Sequence, residues 1–408
     1  MCILKVNFVL AVLLLSSGAV ANCRIKDSNE LFKVIRDNHP EIKYNESLGR
    51  AFSERLGIAS QLPNPELEAS REEGKSLEGD TKTTSLGLLF PIEMGGKRGA
   101  RTRLAENSIN RNKQILRLSS EDAYIKSILN SYRLRQVYEL IPLLSEAQES
   151  LNKILNIKKK RRSLSPEEEV EKETLSLATN DYRLKISKLL SEKERISKEL
   201  TLSMGIDCSI SLESLPENVD LSESFSQSED YQRSALFLQA KESVEVAKAK
   251  KRLASSNSFP DMRIGPTVEF ESVGGRSYKT YGVSLTMEIP VLNLNSGERR
   301  SAASEYKSSL LNQKHINRHV SIELNSEIEK YNRYKKSLNT IANKDELERK
   351  HTRIEKLFKR GVISTSMIIE SHRQLIEFAS TRFEFELGAI ESMWNIKKIK
   401  GTVFSSNL

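Results

Sequence analysis

The sequence predicts a protein that is mainly α with a small membrane β part: duplicated long helical hairpins plus four β-strands per chain. Three observations predict this. Ser85 to Arg101 (SLGLLFPIEMGGKRGAR) has a weaker echo in Gly282 to Arg300 (GVSLTMEIPVLNLNSGERR). In both, a strand-like run reaches a Pro, a loop with Gly and two basic residues follows, and a long polar segment of helical periodicity opens. Pro91 and Pro290 stand about 200 residues apart, as do Gly96 and Gly297, so the 408-residue chain reads as two copies of one unit. The composition is helical and thin in core material: 38% hydrophobic, 29% charged, 10 Pro and 18 Gly. A single deep core needs more apolar residues; slender hairpins need fewer. Finally, apolar residues recur in threes and fours over about sixty residues after Gly99, a reach of roughly 90 Å at ~1.5 Å per residue. That length suits a coiled-coil rod and exceeds a globular-domain helix.

The chain opens on a targeting signal, residues 1–21. Lys5 supplies the positive start, Phe8 to Leu15 the apolar core and Ala19-Val20-Ala21 a small-x-small cleavage site. The apolar run is far shorter than the ~20 residues of a spanning helix, and no later segment approaches that length. Export without a transmembrane helix is expected. Cleavage after Ala21 leaves Cys23 and Cys208. Three fates stay open for Cys23: lipidation, for which Asn22 is a poor preceding residue; a free thiol; or pairing with Cys208 in an oxidising compartment.

The first repeat spans 22–204. Asp27 to Ser60 reads as a helix or helical hairpin interrupted at His39-Pro40, with Leu48, Ala51, Phe52, Leu56 and Ala59 along one stripe. Pro63 and Pro65 end it. Glu66 to Arg71 and Thr83 to Phe90 form a hairpin of two short strands, with Gly74 to Asp80 as its turn. Helical periodicity then holds from Gly99 to about Lys160, with a kink expected at Pro142. Ser165-Pro166-Glu167-Glu168 starts a helix: a capping Ser, Pro at the first position and Glu at the third. The returning helix carries Val170, Leu177 and Leu184 a heptad apart and ends near Met204-Gly205, making an antiparallel hairpin. A polar linker occupies 205–228.

The second repeat spans 229–400, with a tail at 401–408. Glu229 to Asn257 is helical, and Phe259-Pro260-Asp261-Met262 echoes Asn64-Pro65-Glu66-Leu67. Met262 to Ser272 and Tyr281 to Ile289 alternate cleanly about the turn Gly274-Gly275. One helix is expected from Gly297 to about Lys359, a break at Arg360 to Ser364, and a last helix to about Lys400.

The alternation has a chemical meaning. Half-polar strands of about ten residues fit one side of a soluble sandwich or the wall of a membrane barrel. Four strands in one chain leave open edges, which lipid does not tolerate because every backbone group there needs a partner. Sister chains can close the edges. Glu269, Glu271 and Glu288 would then face a wet lumen, and Tyr278, Tyr281 and Phe270 the membrane interfaces.

With these residues in place, the chain resembles the TolC family of outer-membrane efflux proteins over nearly all of its mature length. Phe90-Pro91-Ile92-Glu93-Met94-Gly95-Gly96-Lys97-Arg98 looks like the strand-to-helix junction of its heavy-metal-efflux branch. Leu62-Pro63-Asn64-Pro65-Glu66-Leu67 is similar to the entry into its first strand, and Phe358-Lys359-Arg360-Gly361-Val362-Ile363-Ser364 to the tip of its second hairpin. The resemblance implies a homotrimer in the cell outer membrane: a 12-stranded β-barrel continued by a periplasmic α-barrel. Its partners would be a periplasmic adaptor protein, an inner-membrane pump and outer-membrane lipid. It implies a passive conduit, with no catalytic step and no cofactor. Arg162, Ser163, Leu164 and Ser165, and Arg360, Gly361, Val362, Ile363 and Ser364, would be adaptor-docking tips. Glu370 matches one acidic gate position; Met367 stands at the other, which puts a double acidic ring in doubt. Pro91, Gly95, Gly96, Lys97, Arg98, Pro290 and Gly297 would form the junctions, with Lys97 and Arg98 near lipid headgroups. The exported substrate, whether metal ion, drug or protein, is not written in the chain.

Other chemistry is weakly signalled. Gly95-Gly96-Lys97-Arg98 lacks the earlier Gly and the Ser/Thr of a phosphate-binding loop. Of His39, His315, His319, His351 and His372, only His315 and His319 have same-face spacing, and no Cys or carboxylate completes a metal site. No nucleophile elbow appears, so no enzyme is expected. The 64 basic and 55 acidic residues are interspersed, and Lys158 to Arg162 is the one basic run, read as a solvated loop flank. No nucleic-acid partner is expected. The alternative is a periplasmic coiled-coil adaptor protein, which shares the hairpins and signal peptide but not two alternating strand pairs half a chain apart.

Overall fold

The structure is a computed structural model, and it describes residues 23–77, 79–217, 221–226, 230–341 and 344–405. The targeting signal lies outside the described residues. The described chain begins with β1 (Cys23–Arg24), followed by α1 (Ser28–Asn38), α2 (Pro40–Ser53) and α3 (Arg55–Ser60). The interruption falls at His39-Pro40 as expected. His39 ends α1, and its Nδ1 accepts from Glu41 N at 3.1 Å. Pro40 opens α2, where its missing N–H costs nothing.

Strands β2 (Glu66–Ser76) and β3 (Gly79–Ile92) follow. They are longer than the sequence suggests, because residues 74–76 and 79–80 pair rather than turn. Polar residues at these ends hide the strand signal, yet backbone pairing needs no apolar side chain. Helix α4 (Lys97–Lys159) then runs 63 residues, about 95 Å, and continues through the exposed Pro142 without a break. Helix α5 (Pro166–Met204) returns. Its capping box is formed: Ser165 Oγ accepts from Glu168 N at 3.2 Å, and Glu168 Oε2 accepts from Ser165 N at 3.1 Å.

The buried heptad of α5 is not the one the spacing suggested. Val170, Leu177 and Leu184 are exposed, whereas Leu175, Tyr182 and Leu189 are buried in the seam with Leu144, Leu151 and Leu155 of α4, and Ile196 of the same heptad is buried in the main core. Two apolar heptads lie on nearly opposite sides of α5, roughly 140–160° apart, and packing within one chain uses only the second.

The linker is not a free spacer. β4 (Cys208–Ser209) pairs in parallel with β1, and Cys23 is joined to Cys208 by a disulfide. That settles the fate of Cys23 Sγ: a sulfur in a disulfide is not available for a lipid thioether. A 3₁₀ turn at Leu212–Ser214 and the buried Leu215 continue the packing. Glu223 ties the segment down: its carboxylate meets Lys397 Nζ at 2.8 Å, and its carbonyl accepts from Tyr331 Oη at 3.0 Å.

The second half holds α6 (Ala235–Ser256), β5 (Met262–Val273), β6 (Arg276–Met287), α7 (Ser296–Thr340), α8 (Lys344–Lys359) and α9 (Thr365–Lys400). Two expectations need correction. The helix expected from Glu229 starts at Ala235. The single helix expected from Gly297 to Lys359 is broken after Thr340, where Ile341 turns extended at φ −91°, ψ 158°. The apolar core gathers where α1, the middle of α4, α7 and the end of α9 meet. There Trp394 is fully buried, edge-on to Tyr124 at 6.0 Å. The tail joins this core through Val403 and through Phe404, 5.5 Å from Tyr124. Glu121 is buried beside it at 2.8 Å from Arg117; burial raises its pKa against the pull of that guanidinium.

Candidate functional site

The two hairpins form one four-stranded sheet in the order β2-β3-β5-β6, antiparallel throughout. The register separates the chemistry onto two faces. One face carries Leu67 and Ala69, Leu86, Leu88 and Phe90, Ile264 and Val268, and Tyr281, Val283 and Leu285. Most of these are exposed large apolar residues, among them Leu67, Tyr281 and Val283 at 78%, 73% and 73%. The other face carries Glu66, Glu68, Ser70, Ser85, Thr267, Glu269, Glu271, Thr280 and Ser284. Glu269 and Glu271 are on the polar face as expected. Glu288 lies just past the end of β6, and Tyr278 is paired with Glu271 on the polar face rather than with the apolar belt. Phe270 and Tyr281 are on the apolar face.

Among the described residues, both outermost strands, β2 and β6, have one unpaired side. A greasy face and open edges are both surfaces that call for a partner, another strand at the edges and an apolar medium at the face.

The first junction turns the chain from β3 to α4. Pro91 is the penultimate strand residue, and Gly95 and Gly96 both take left-handed conformations, at φ 68° and 70°. A Cβ on Gly95 would sit 2.6 Å from the Phe259 ring. Lys97 and Arg98 both have partners within the chain. Lys97 Nζ is 2.8 Å from Asp261 Oδ1, and Arg98 Nε donates to Ser60 O at 2.7 Å. Asp261 also accepts from Met94 N at 3.1 Å, so one carboxylate clamps the first junction to the start of β5. Arg101 completes it, bridging Glu93 at 2.5 Å and the carbonyl of Ala59 at 2.9 Å.

The second junction differs. Pro290 lies in the loop after β6, and Gly297 is already the second residue of α7, with no unusual φ. The left-handed residue is Asn295, at φ 54°. It is the positional equivalent of Gly96, because both stand five residues after their proline. Asn tolerates this region better than most side chains, and its amide donates to Ala254 O at 3.1 Å. Matching glycine to glycine missed it; matching distances from the prolines finds it.

Asp261→Ala removes both bonds at the clamp and is expected to cost about 2 kcal/mol, while Asp261→Asn keeps the Met94 bond and loses less. Thermal unfolding of the detergent-solubilised protein measures the difference.

At the far end the two helical turns sit together. Arg162 and Ser163 are exposed, Leu164 is half-buried and Ser165 caps α5. The basic run is not simply solvated: Lys158 pairs with Glu171 and Arg161 with Glu168 across the hairpin. The second turn uses Gly361 at φ 70°, with Arg360 and Val362 exposed, Ile363 half-buried and Ser364 accepting from Met367 N at 3.4 Å. Ile376 of α9 packs into the cluster of Leu175 and Tyr182 on α5, which holds the hairpins side by side.

Glu370 is one turn above this tip. It is not a lone carboxylate: Arg373 Nη2 lies 2.7 Å from its Oε1, and Gln374 donates at 2.8 Å. Those hydrogen bonds, Arg373's first, hold its pKa down to about 2. Arg373 also reaches Glu377 at 2.8 Å. The sequence picks out the acid and misses its counter-ion, although Glu-x-x-Arg is a same-face spacing. Among the described residues no group of three His, Cys, Asp or Glu side chains could hold a metal. His319 leans toward Glu323 at 3.5 Å, and the side chain of His351 lies outside the described residues.

No family model matches the sequence, and no curated protein matches it. Solved structures do. The MtrE outer membrane channel of Neisseria gonorrhoeae, in its open state, matches with TM-score 0.70 at 13% identity over 92% of this chain and 89% of that one. The CmeC outer membrane channel of Campylobacter jejuni matches with TM-score 0.70 at 15% identity over 99% and 94%. CusC, described in terms of transmembrane channel formation, matches with TM-score 0.69 at 14% identity over 93% of each. Helical hairpins, small sheet and near-complete coverage agree with the fold that the junction and tip residues imply. The chain has the TolC-type fold of these outer-membrane channels.

Proposed function

We propose that the chain is the outer-membrane channel of a tripartite efflux or secretion system, a passive conduit working with an inner-membrane pump and a periplasmic adaptor. The observation that carries this reading is the two-faced sheet with its two open edges. Because β2 and β6 run in opposite directions, β6 of one copy can pair with β2 of the next and keep every neighbour antiparallel. Three copies give twelve strands. The apolar faces then meet lipid, and the carboxylate-rich faces line water. The exposed heptad Val170, Leu177 and Leu184 on α5 supports the same assembly, since a rod with a second apolar stripe is suited to a neighbouring helix of another copy. A periplasmic adaptor would have no use for this sheet.

In this reading the exposed tips, 162–165 and 360–364, meet the adaptor, and Glu370 lies at the entrance. Arg373 largely cancels its charge there. Two experiments test the proposal together. Fractionation should place the mature protein in the outer membrane as a trimer, and the purified trimer should conduct in planar bilayers. A water-soluble monomer without conductance overturns it.

The gate makes its own prediction. Arg373→Ala should raise cation over anion permeability about twofold or more at pH 7, and Glu370→Ala in that background should remove the gain. With Arg373 present, Glu370 stays ionised down to about pH 2. Selectivity of the native channel should therefore not change through this group between pH 7 and 4. In Arg373→Ala the carboxyl returns toward the ordinary value of ~4.3, and selectivity should fall as the pH drops through it.

A further inference from the structure

The charges at the outer end of the sheet are sorted by side, and the proposed function does not use this. Beyond the apolar band, the greasy face continues into cations. Arg71 and Lys75 on β2 share parity with Leu67 and Ala69, and Lys82 on β3 shares parity with Leu86 and Leu88. Lys279 on β6 shares parity with Tyr281 and is paired with Phe270. Lys279 Nζ lies over both rings, 5.3 Å from the Phe270 centroid and 5.1 Å from that of Tyr281. Arg71, Thr84, Phe270 and Lys279 form one row across all four strands. Lys82 stands one row further out, about 7 Å away, and Lys75 one beyond that. The same face holds two carboxylates at these rows against the four cations: Asp80, and Glu73, which pairs with Arg71 at 2.7 Å. On the opposite face the same rows carry Glu72, Glu269 and Glu271. Four cations thus share the lipid side and one, Arg276 of β6, stands on the polar face, where Glu72, Glu269 and Glu271 outnumber it.

We propose that Arg71, Lys75, Lys82 and Lys279, with Phe270 and Tyr281, form an outward basic girdle that binds the phosphate groups of anionic lipid in the outer leaflet. The occupant is lipid because the girdle continues an apolar band without a gap: aromatic rings end the band, and long cationic side chains follow, the order that places ammonium and guanidinium groups at headgroup depth. Around a closed assembly each copy adds its girdle to a continuous positive rim, and each cation near an anionic surface contributes additively. The inference rests on the outer-membrane reading of the sheet.

The test uses the purified full-length oligomer in detergent with diphosphoryl lipid A as probe, read as the shift in the oligomer's thermal midpoint and as retention of bound lipid by native mass spectrometry. Lipid A should raise the midpoint by several degrees; phosphatidylcholine should not, and neither should inorganic phosphate at the same phosphate concentration. Arg71→Gln/Lys82→Gln/Lys279→Gln should weaken lipid A binding at least tenfold, and Glu269→Gln should leave it unchanged. Lys82→Gln and Lys279→Gln as single variants should each give part of the loss, so a poorly folding triple variant does not decide the outcome. Equal lipid A binding by native and single-variant oligomers overturns the girdle, as does a response to inorganic phosphate equal to that to lipid A. If the native oligomer inserts and conducts in bilayers but shows no preference for lipid A, only this inference fails. If it does not insert at all, the channel reading fails with it.

Discussion

Gly265→Val is expected to eliminate the assembled protein from the outer membrane. Gly265 lies in β5 opposite β3, at the joint between the two halves of the chain. A Cβ there would stand 1.8 Å from Leu88 O and 2.8 Å from Leu88 C, both backbone atoms, so no rotamer change relieves it. The strands must separate or slip, and a slip of one residue would reverse every face. Next to it, Pro266 has no N–H to offer the ladder, so the joint has little reserve pairing. Substitutions of this kind belong to the rare class above ~4–5 kcal/mol. In lipid the consequence is all-or-none, because a sheet parted between β3 and β5 presents two additional open edges. Blotting of outer-membrane fractions for heat-resistant oligomer checks it; normal oligomer with Gly265→Val would show that β3 and β5 can part without loss. Gly297→Ala is the matched control: a Cβ there meets nothing within 4 Å, and little change is expected.

The second large effect is expected at the disulfide. Cys23 and Cys208 are 185 residues apart in sequence, so their bond closes the whole first repeat into one loop. On the chain-entropy account a loop of that length contributes about 5 kcal/mol by restricting the unfolded chain. Cys23→Ser, Cys208→Ser and the double variant should therefore lose nearly the same stability, since each removes the same bond. Reductant should destabilise the native protein and leave all three variants unchanged. Denaturant midpoints in detergent, with and without reductant, measure this; three unequal losses would point to packing at the cysteines rather than to the bond. The cost should be felt first at α1, whose Leu31, Phe32 and Ile35 are buried just after the bond.

Much of this architecture is legible in the chain because each element has a local cause. Ser165 with Glu168, and the paired turn glycines Gly274 and Gly275, specify their ends by side-chain and backbone chemistry alone. The alternation of β5 and β6 is equally local. What stayed hidden depends on contacts distant in sequence. Nothing near Cys23 marks Cys208 as its partner, and nothing near Lys97 marks Asp261. On α5 both candidate heptads are apolar, and only the presence of α4 decides which is buried. The outer strand ends were missed for the opposite reason: Glu72, Lys75 and Lys82 are polar on both faces, so period-two contrast vanishes where the sheet leaves the apolar band. Glu370 was visible as a candidate, but its surroundings were not, because Arg373 pairs with it one turn on.

The unequal second rods have a mechanical consequence. A helix transmits bending through its ladder of hydrogen bonds, and α4 runs continuously from the sheet to the tip, lacking only the bond that Pro142 cannot donate. Its counterpart stops at Thr340 and resumes at Lys344. A load applied at the tips would travel the full length of the first mast, whereas the second loses its ladder at the extended Ile341.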